Sequence, residues 1–137
     1  MRRALALDVG ERRVGLARTD ATGTLAVPHG VYVRTDWERD VRALAELARQ
    51  LGAEALVVGL PLNMDGTEGE QARRVRAFAE ALAKEAGLPL HFVDERWTTE
   101  EAVRVLREAG LPWRKRKGKA DALSAVLILQ AWLEQGR

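Results

Sequence analysis

Asp8 closes the apolar stretch ALAL, Glu95 follows the apolar pair Phe92 and Val93, and Asp121 stands in the first turn of a long apolar segment near the other end of the chain. A carboxylate that ends a strand buried on both faces is expensive to desolvate, so its presence there points to a task. Three carboxylates brought together raise one another's proton affinity unless a cation compensates. A divalent ion is the natural compensator, and with no cysteine in the chain and only two histidines its ligands would be mostly oxygen. Mg2+ or Mn2+ suits that supply. Two such ions about 4 Å apart, bridged by one aspartate, activate a water and stabilise the leaving oxygen of a phosphodiester in an in-line displacement. Asp8 is placed to be the bridge, with Glu95 and Asp121 completing the coordination. Asp94 stands beside Glu95, and because successive strand residues point to opposite faces, only one of the two easily enters a shared site. Spacing alone leaves that choice open.

The elements that must deliver these acids can be read from periodicity. Ala4 to Val9 is a short apolar run closed by Gly10, which suits a central strand. Val14 to Thr19 follows a turn at Glu11 to Arg13, and a second turn around Gly23 leads to Leu25 to Val27 and Val31 to Val33, an antiparallel meander. Pro28 and Gly30 interrupt its third strand, which should therefore be an edge strand or a bulged one. Thr35 and Glu38 have the spacing of a capping box, and Trp37, Val41, Leu44, Ala45, Ala48 and Leu51 follow at helical spacing up to Gly52. Ala55 to Leu60 reads as a buried parallel strand, Glu70 to Ala86 as a helix ended by Gly87, and Leu90 to Val93 as a fifth strand. Thr98 and Glu101 form another capping pair, opening a helix that ends near Gly110 and Pro112. Ala120 to Glu134 is apolar on nearly every side and should pack into the body of the domain. The predicted order β, β, β, α, β, α, β, α, α needs a five-stranded mixed sheet flanked by helices, with strands 1 to 3 antiparallel and strands 4 and 5 parallel. That order matches the ribonuclease H-like α/β fold. Fold alone leaves the function open, since nucleases and ATPase domains share it.

Composition narrows the field. At 137 residues and 47% hydrophobic content the chain, residues 1–137, has the size of a single domain with a real core. No apolar run approaches a membrane span, and the N-terminus lacks the pattern of a secretory signal, so the expected location is cytoplasmic and no membrane is involved. Net charge is only +2, but Trp113 to Lys119 (WRKRKGK) holds five of the 22 basic residues, leaving 17 bases against 20 acids elsewhere. A concentrated basic run is either a solvated loop or the footprint of a polyanionic partner.

The motifs DVGERRVGLARTD (Asp8 to Asp20), VVGLPLNMDGTEGEQARRV (Val57 to Val75), FVDERWTTEEA (Phe92 to Ala102) and KGKADALSAVLILQAWL (Lys117 to Leu133) resemble those of the YqgF family of pre-16S rRNA nucleases, also described as Holliday junction resolvase-like. Four motifs in order over nearly the whole chain are far more specific than a lone DxG. The resemblance implies a ribonuclease H-like fold and a metal-dependent nuclease, a hydrolase of ester bonds, that matures the 5′ end of 16S rRNA in ribosome biogenesis. It places Asp8, Glu95 and Asp121 in the acidic site as catalytic and metal-binding residues, and it favours Glu95 over Asp94. In one respect the chain departs from many nucleases of this fold. The fourth strand, instead of ending on a carboxylate, reads VVGLP, which leaves one ion or two.

Around the acids, Gly10 suits close backbone approach, and Arg12 and Arg96 are placed either to hold phosphates or to pair with nearby carboxylates. Asn63, Asp65 and Thr67 either line the site or cap their own loop. The basic residues Arg114, Lys115, Arg116, Lys117 and Lys119 would contact nucleic acid, structured or precursor rRNA in the leading reading. Competing readings are a DNA junction resolvase of recombination and repair, which needs a symmetric homodimer for paired cuts, and a non-catalytic RNA-binding module.

Overall fold

The computed structural model describes residues 3–97, 104, 107, 108, 110 and 120–135. Five strands, β1 (Ala4–Val9), β2 (Arg13–Thr19), β3 (Ala26–Val33), β4 (Ala55–Leu60) and β5 (Leu90–Asp94), form one sheet in the order β3-β2-β1-β4-β5. β1 pairs antiparallel with β2 and parallel with β4, β2 pairs antiparallel with β3, and β4 pairs parallel with β5. The mixed sheet expected from the sequence is therefore present. β1 and β4 lie in its interior and are apolar on both faces because helices cover both sides.

Those faces differ in kind. Leu5, Leu7, Leu56 and Val58 turn their large side chains toward α1 (Trp37–Gln50) and α2 (Glu70–Ala86), around Leu44, Phe78 and Leu82. The opposite face is built from Ala4, Ala6, Ala17, Ala26, Ala55 and Val57, and its small residues let α3 (Ala120–Gln135) lie close against β2, β1 and β3. Ile128, Leu129 and Trp132 of α3 then supply the volume that the alanines lack. This is why α3 is apolar nearly all round.

β3 is both an edge strand and a bulged one. Its register with β2 shifts between Leu16 and Ala17, which pair with Gly30 and Pro28, so His29 is the extra residue and the strand runs unbroken through the predicted interruption. The entrance to α1 differs from the expected capping box. Asp36 is the N-cap, its carboxylate accepting from Arg39 N at 2.9 Å, while Thr35 N donates to Asp40 Oδ1 at 2.9 Å. Thr35 is claimed by Asp40, leaving Asp36 one residue later to satisfy the first turn. Trp37, which heads the series at helical spacing, is the first residue of α1 and remains 45% exposed.

Asp40 is 1% exposed and accepts hydrogen bonds from Tyr32 Oη at 2.9 Å, Arg34 Nε at 3.0 Å and Thr35 N. Burial alone would raise its pKa, but these donors, Thr35 and Arg34 foremost, outweigh it and hold the carboxyl below its ordinary value. The network ties the end of β3 to α1. Asp40→Ala would strand buried donors and an arginine, and we expect a loss of about 3 kcal/mol in urea denaturation. A loss below about 1 kcal/mol would show that the network is incidental.

Of the helix expected from Thr98, residues Arg104, Arg107 and Glu108 are helical and Gly110 follows with φ 77°. Its capping pair, Thr98 and Glu101, and the basic residues Arg114, Lys115, Arg116, Lys117 and Lys119 lie outside the described residues. Among the described residues no helix is long and apolar enough to cross a membrane.

Candidate active site

β1, β4 and β5 run parallel, so their carboxyl ends emerge side by side, the place where open α/β sheets build sites. Asp8 is the fifth residue of β1 and Glu95 directly follows β5, opening a short 3-10 turn through Trp97. The two carboxyl groups meet in a side-chain hydrogen bond. Glu95 is pushed up to about 7 from its ordinary 4.5, first by burial, then by the charge of Asp8 and the hydrogen bond to it, and least by Asp94. Burial and the neighbouring Asp8 carboxyl thus favour the protonated form of Glu95 well above the usual carboxylate range.

Strand alternation separates the neighbouring acid. Val93 faces α3, whereas Phe92 packs toward α1 and α2, and Asp94 follows Phe92 in alternation. Asp94 is taken up by Arg96, whose Nη2 lies 2.6 Å from Oδ2 and whose Nε lies 3.1 Å from Oδ1. This pairing raises the Arg96 pKa. Arg96 Nη1 also donates to the Met64 carbonyl at 2.8 Å, pinning the loop between β4 and α2 against the end of β5. Of the two roles open to Arg96 in the sequence, the structure displays carboxylate pairing.

The loop itself is closed by its own polar groups. Asn63 N donates to the Thr67 carbonyl at 2.9 Å, Asn63 Nδ2 to Thr67 Oγ1 at 3.0 Å, and Thr67 N to Asp65 Oδ1 at 3.0 Å. The side chains of Asn63, Asp65 and Thr67 thus shape the loop beside the acids. Gly10 serves the β1–β2 hairpin: its N donates to the Arg13 carbonyl at 2.8 Å, and a Cβ there would lie 2.8 Å from that same oxygen. Arg12 is exposed on the turn that follows.

Sequence reasoning missed the role of Gly59. It continues β4 one residue beyond the Leu7–Val58 pair, beside Asp8, and is paired with Val93 on the other side. A Cβ at Gly59 would come within 2.7 Å of Glu95 Oε1 and 2.4 Å of Ile128 Cδ1. The space beside Gly59, near the end of a fourth strand that carries no carboxylate, is the one into which Glu95 folds. A glycine inside a wholly apolar strand was the available signal. Gly15 is the register partner of Asp8 on β2, so both strands that flank the aspartate carry a glycine beside it.

Asp8 and Glu95 offer oxygen donors to a hard cation. Among the described residues no group of three or more His, Cys, Asp or Glu is placed to hold a metal ion. A third ligand would come from Asp121, the second residue of α3, whose side chain lies outside the described residues.

The sheet order and crossovers define a protein of the ribonuclease H-like class. Solved structures agree: RuvC of Thermus thermophilus has a TM-score of 0.66 at 21% identity, over 98% of this chain and 96% of that one. The Fowlpox virus Holliday junction resolvase has a TM-score of 0.60 at 11% identity, over 97% and 99%. Residues 2–135 match the family described as RuvX, Holliday junction resolvase. Curated relatives include proteins of Moorella thermoacetica, 47% identical over 97% of this chain and 95% of that protein, and of Anaeromyxobacter sp., 46% identical over 96% of each. Their names provisionally assign them as pre-16S rRNA nucleases. The chain belongs to this RuvX/YqgF nuclease family and is a hydrolase of phosphodiester bonds.

Proposed function

We propose that this chain, as a single domain spanning residues 1–137, is a metal-dependent endonuclease that trims the 5′ end of pre-16S rRNA in the cytoplasm. The convergence of Asp8 from β1 and Glu95 from the end of β5, across Gly59 of β4, carries the proposal, because it sets two oxygen-donor carboxyl groups together at the carboxyl end of the parallel strands. The relatives named for pre-16S rRNA support the substrate. Asp8, Glu95 and Asp121 would hold Mg2+ or Mn2+, one ion or two. When bound, such an ion supplies an activated water and neutralises charge on the phosphate. The chain's own contribution is placement. β1 fixes Asp8, Gly59 admits the Glu95 carboxyl, and the Asp94–Arg96 pair holds the neighbouring loop against the site. Arg12 and the basic run from Arg114 to Lys119 would gather the phosphate backbone.

A labelled precursor rRNA fragment incubated with Mg2+ or Mn2+ should yield the mature 5′ end. RNA affinity should fall about tenfold or more between 50 and 200 mM salt if the basic run neutralises three or more phosphates. No cleavage with either metal, with binding intact, would leave an RNA-binding module instead. The description of the matching family favours a second reading, a homodimeric DNA junction resolvase. Paired symmetric nicks in a four-way junction, absent from the rRNA fragment, would select it.

A further inference from the structure

Among the described residues three large hydrophobic side chains are exposed: Val33 at 66%, Trp37 at 45% and Met64 at 96%. All three lie at one end of the molecule. β3 runs parallel to β1 through their shared partner β2, so Val33, at the end of β3, and Trp37, opening α1, sit at the carboxyl end of the sheet. Met64 belongs to the loop that leaves β4 at that same end, and its backbone is clamped by Arg96. Scattered exposed apolar residues need no explanation, but a set confined to the end that carries the acid pair does.

Trp37 and Val33 line a cleft of about 910 Å³ on the α1/α2 side of that end, bounded by the β1–β2 turn at Gly10 and Arg12 and by Gln71 and Arg74 of α2. The volume is ample for a nucleotide. The indole is held edge-on to the buried Phe78, with ring centroids 5.2 Å apart, and Phe78 carries the Arg34 guanidinium over its ring at 4.6 Å. Trp37 is therefore a braced platform. The cations around it are largely balanced, Arg34 by Asp40 at 3.0 Å, and Arg74 by Glu70 and, at 4.0 Å, by Glu11. Among the described residues Arg12 is thus the arginine of this cleft left for a phosphate, and Trp37 adds apolar contact with an unstacked base.

We infer that the cleft receives an unpaired nucleotide of the substrate strand, its base stacked on Trp37, as the strand crosses the end of the sheet from the Asp8–Glu95 pair. The inference rests on the nuclease reading and deepens it: the enzyme selects sites where bases next to the cut are unpaired. Val9 and Gly10, the two residues that follow Asp8, line the cleft, so a strand that crosses the end of the sheet from the acid pair enters it. A uniform duplex keeps its bases stacked on one another and has none to give.

Binding of a fluorescein-labelled ten-nucleotide adenine RNA and of a blunt RNA duplex of equal length, measured by anisotropy without divalent ions, tests this. Trp37→Ala should weaken single-strand binding about fivefold or more, leave duplex binding unchanged, and leave the slope of affinity against salt unchanged. Trp37→Phe should restore most of the loss. Equal losses on both RNAs, no loss, or no single-strand binding by the wild type would overturn the inference. So would a Trp37→Ala protein whose only change is in sedimentation, which would make the cleft an interface between copies of the chain. Cleavage distinguishes the two levels. A wild type that binds through Trp37 yet never cuts refutes the nuclease reading alone, and one that cuts while Trp37→Ala binds normally refutes this inference alone.

Discussion

Asp8→Asn is expected to lower cleavage of the precursor rRNA fragment by at least about a thousandfold, the several kcal/mol that a lost metal-binding carboxylate removes from transition-state stabilisation. The same substitution should make the metal-free protein more stable at alkaline pH. Glu95 sits at about 7 in the folded chain against 4.5 ordinarily, so it is protonated in both states below about pH 4.5 and costs nothing there. As pH rises from 4.5 through 7 the unfolded chain ionises more readily than the folded one, and stability is lost. Above pH 7 the loss is on the order of 2 kcal/mol once solvent screening of a partly exposed group is allowed for. Burial is the larger cause and remains in the variant, while the Asp8 charge goes, so Asp8→Asn should recover about 1 kcal/mol at pH 8 and nothing near pH 4.5. Urea denaturation at the two pH values measures this, with circular dichroism confirming the fold. Mg2+ should raise the wild-type midpoint at pH 8 and leave that of the variant unmoved. Full activity in a folded Asp8→Asn protein would remove Asp8 from the site.

How much of this was legible beforehand depended on the range of the interaction. The strands β1 and β4 and the helix α2 follow from apolar runs and terminal glycines, which act within a few residues, and the sequence-predicted limits of all three are those of the structure. The edge character of β3 could be read from Pro28 and Gly30, but its continuity could not, because the bulge at His29 exists only through pairing with β2. The start of α1 went astray by one residue for the same kind of reason. Asp40 draws Thr35 away through a buried network that also engages Tyr32 and Arg34, and nothing local announces it. In the site, strand periodicity showed that Asp94 and Glu95 must part company without showing which way each turned. The Arg96 clamp and the contact with Asp8 are tertiary facts. Gly59 was visible as a glycine in an apolar run, yet its meaning required knowing that Glu95 from another strand needs the room.

Gly59→Ala is the second substitution from which a large effect is expected. A methyl group there would lie 2.4 Å from Ile128 Cδ1 and 2.7 Å from Glu95 Oε1, distances at which something must shift. Ile128 is 2% exposed and packed in the α3 layer, so it has little space into which to retreat. Overpacking of this kind costs about 1 to 3 kcal/mol. Glu95 is the freer neighbour, standing at the surface end of β5, and its carboxyl is the group that would be driven off its position beside Asp8. Displacing a site ligand by about 1 Å is enough to cost about a hundredfold in rate. Gly59→Ala should therefore reduce cleavage about a hundredfold while lowering the urea midpoint, and the Glu95 titration should fall from about 7 as the contact with Asp8 opens. Gly59→Asp, which writes the missing fourth-strand carboxylate back into the chain, should be worse still, because the new acid would occupy the space that Glu95 already fills. An active Gly59→Asp protein would mean that the site accepts a further carboxylate at the end of β4, and that the glycine there is a matter of backbone fit rather than room for Glu95.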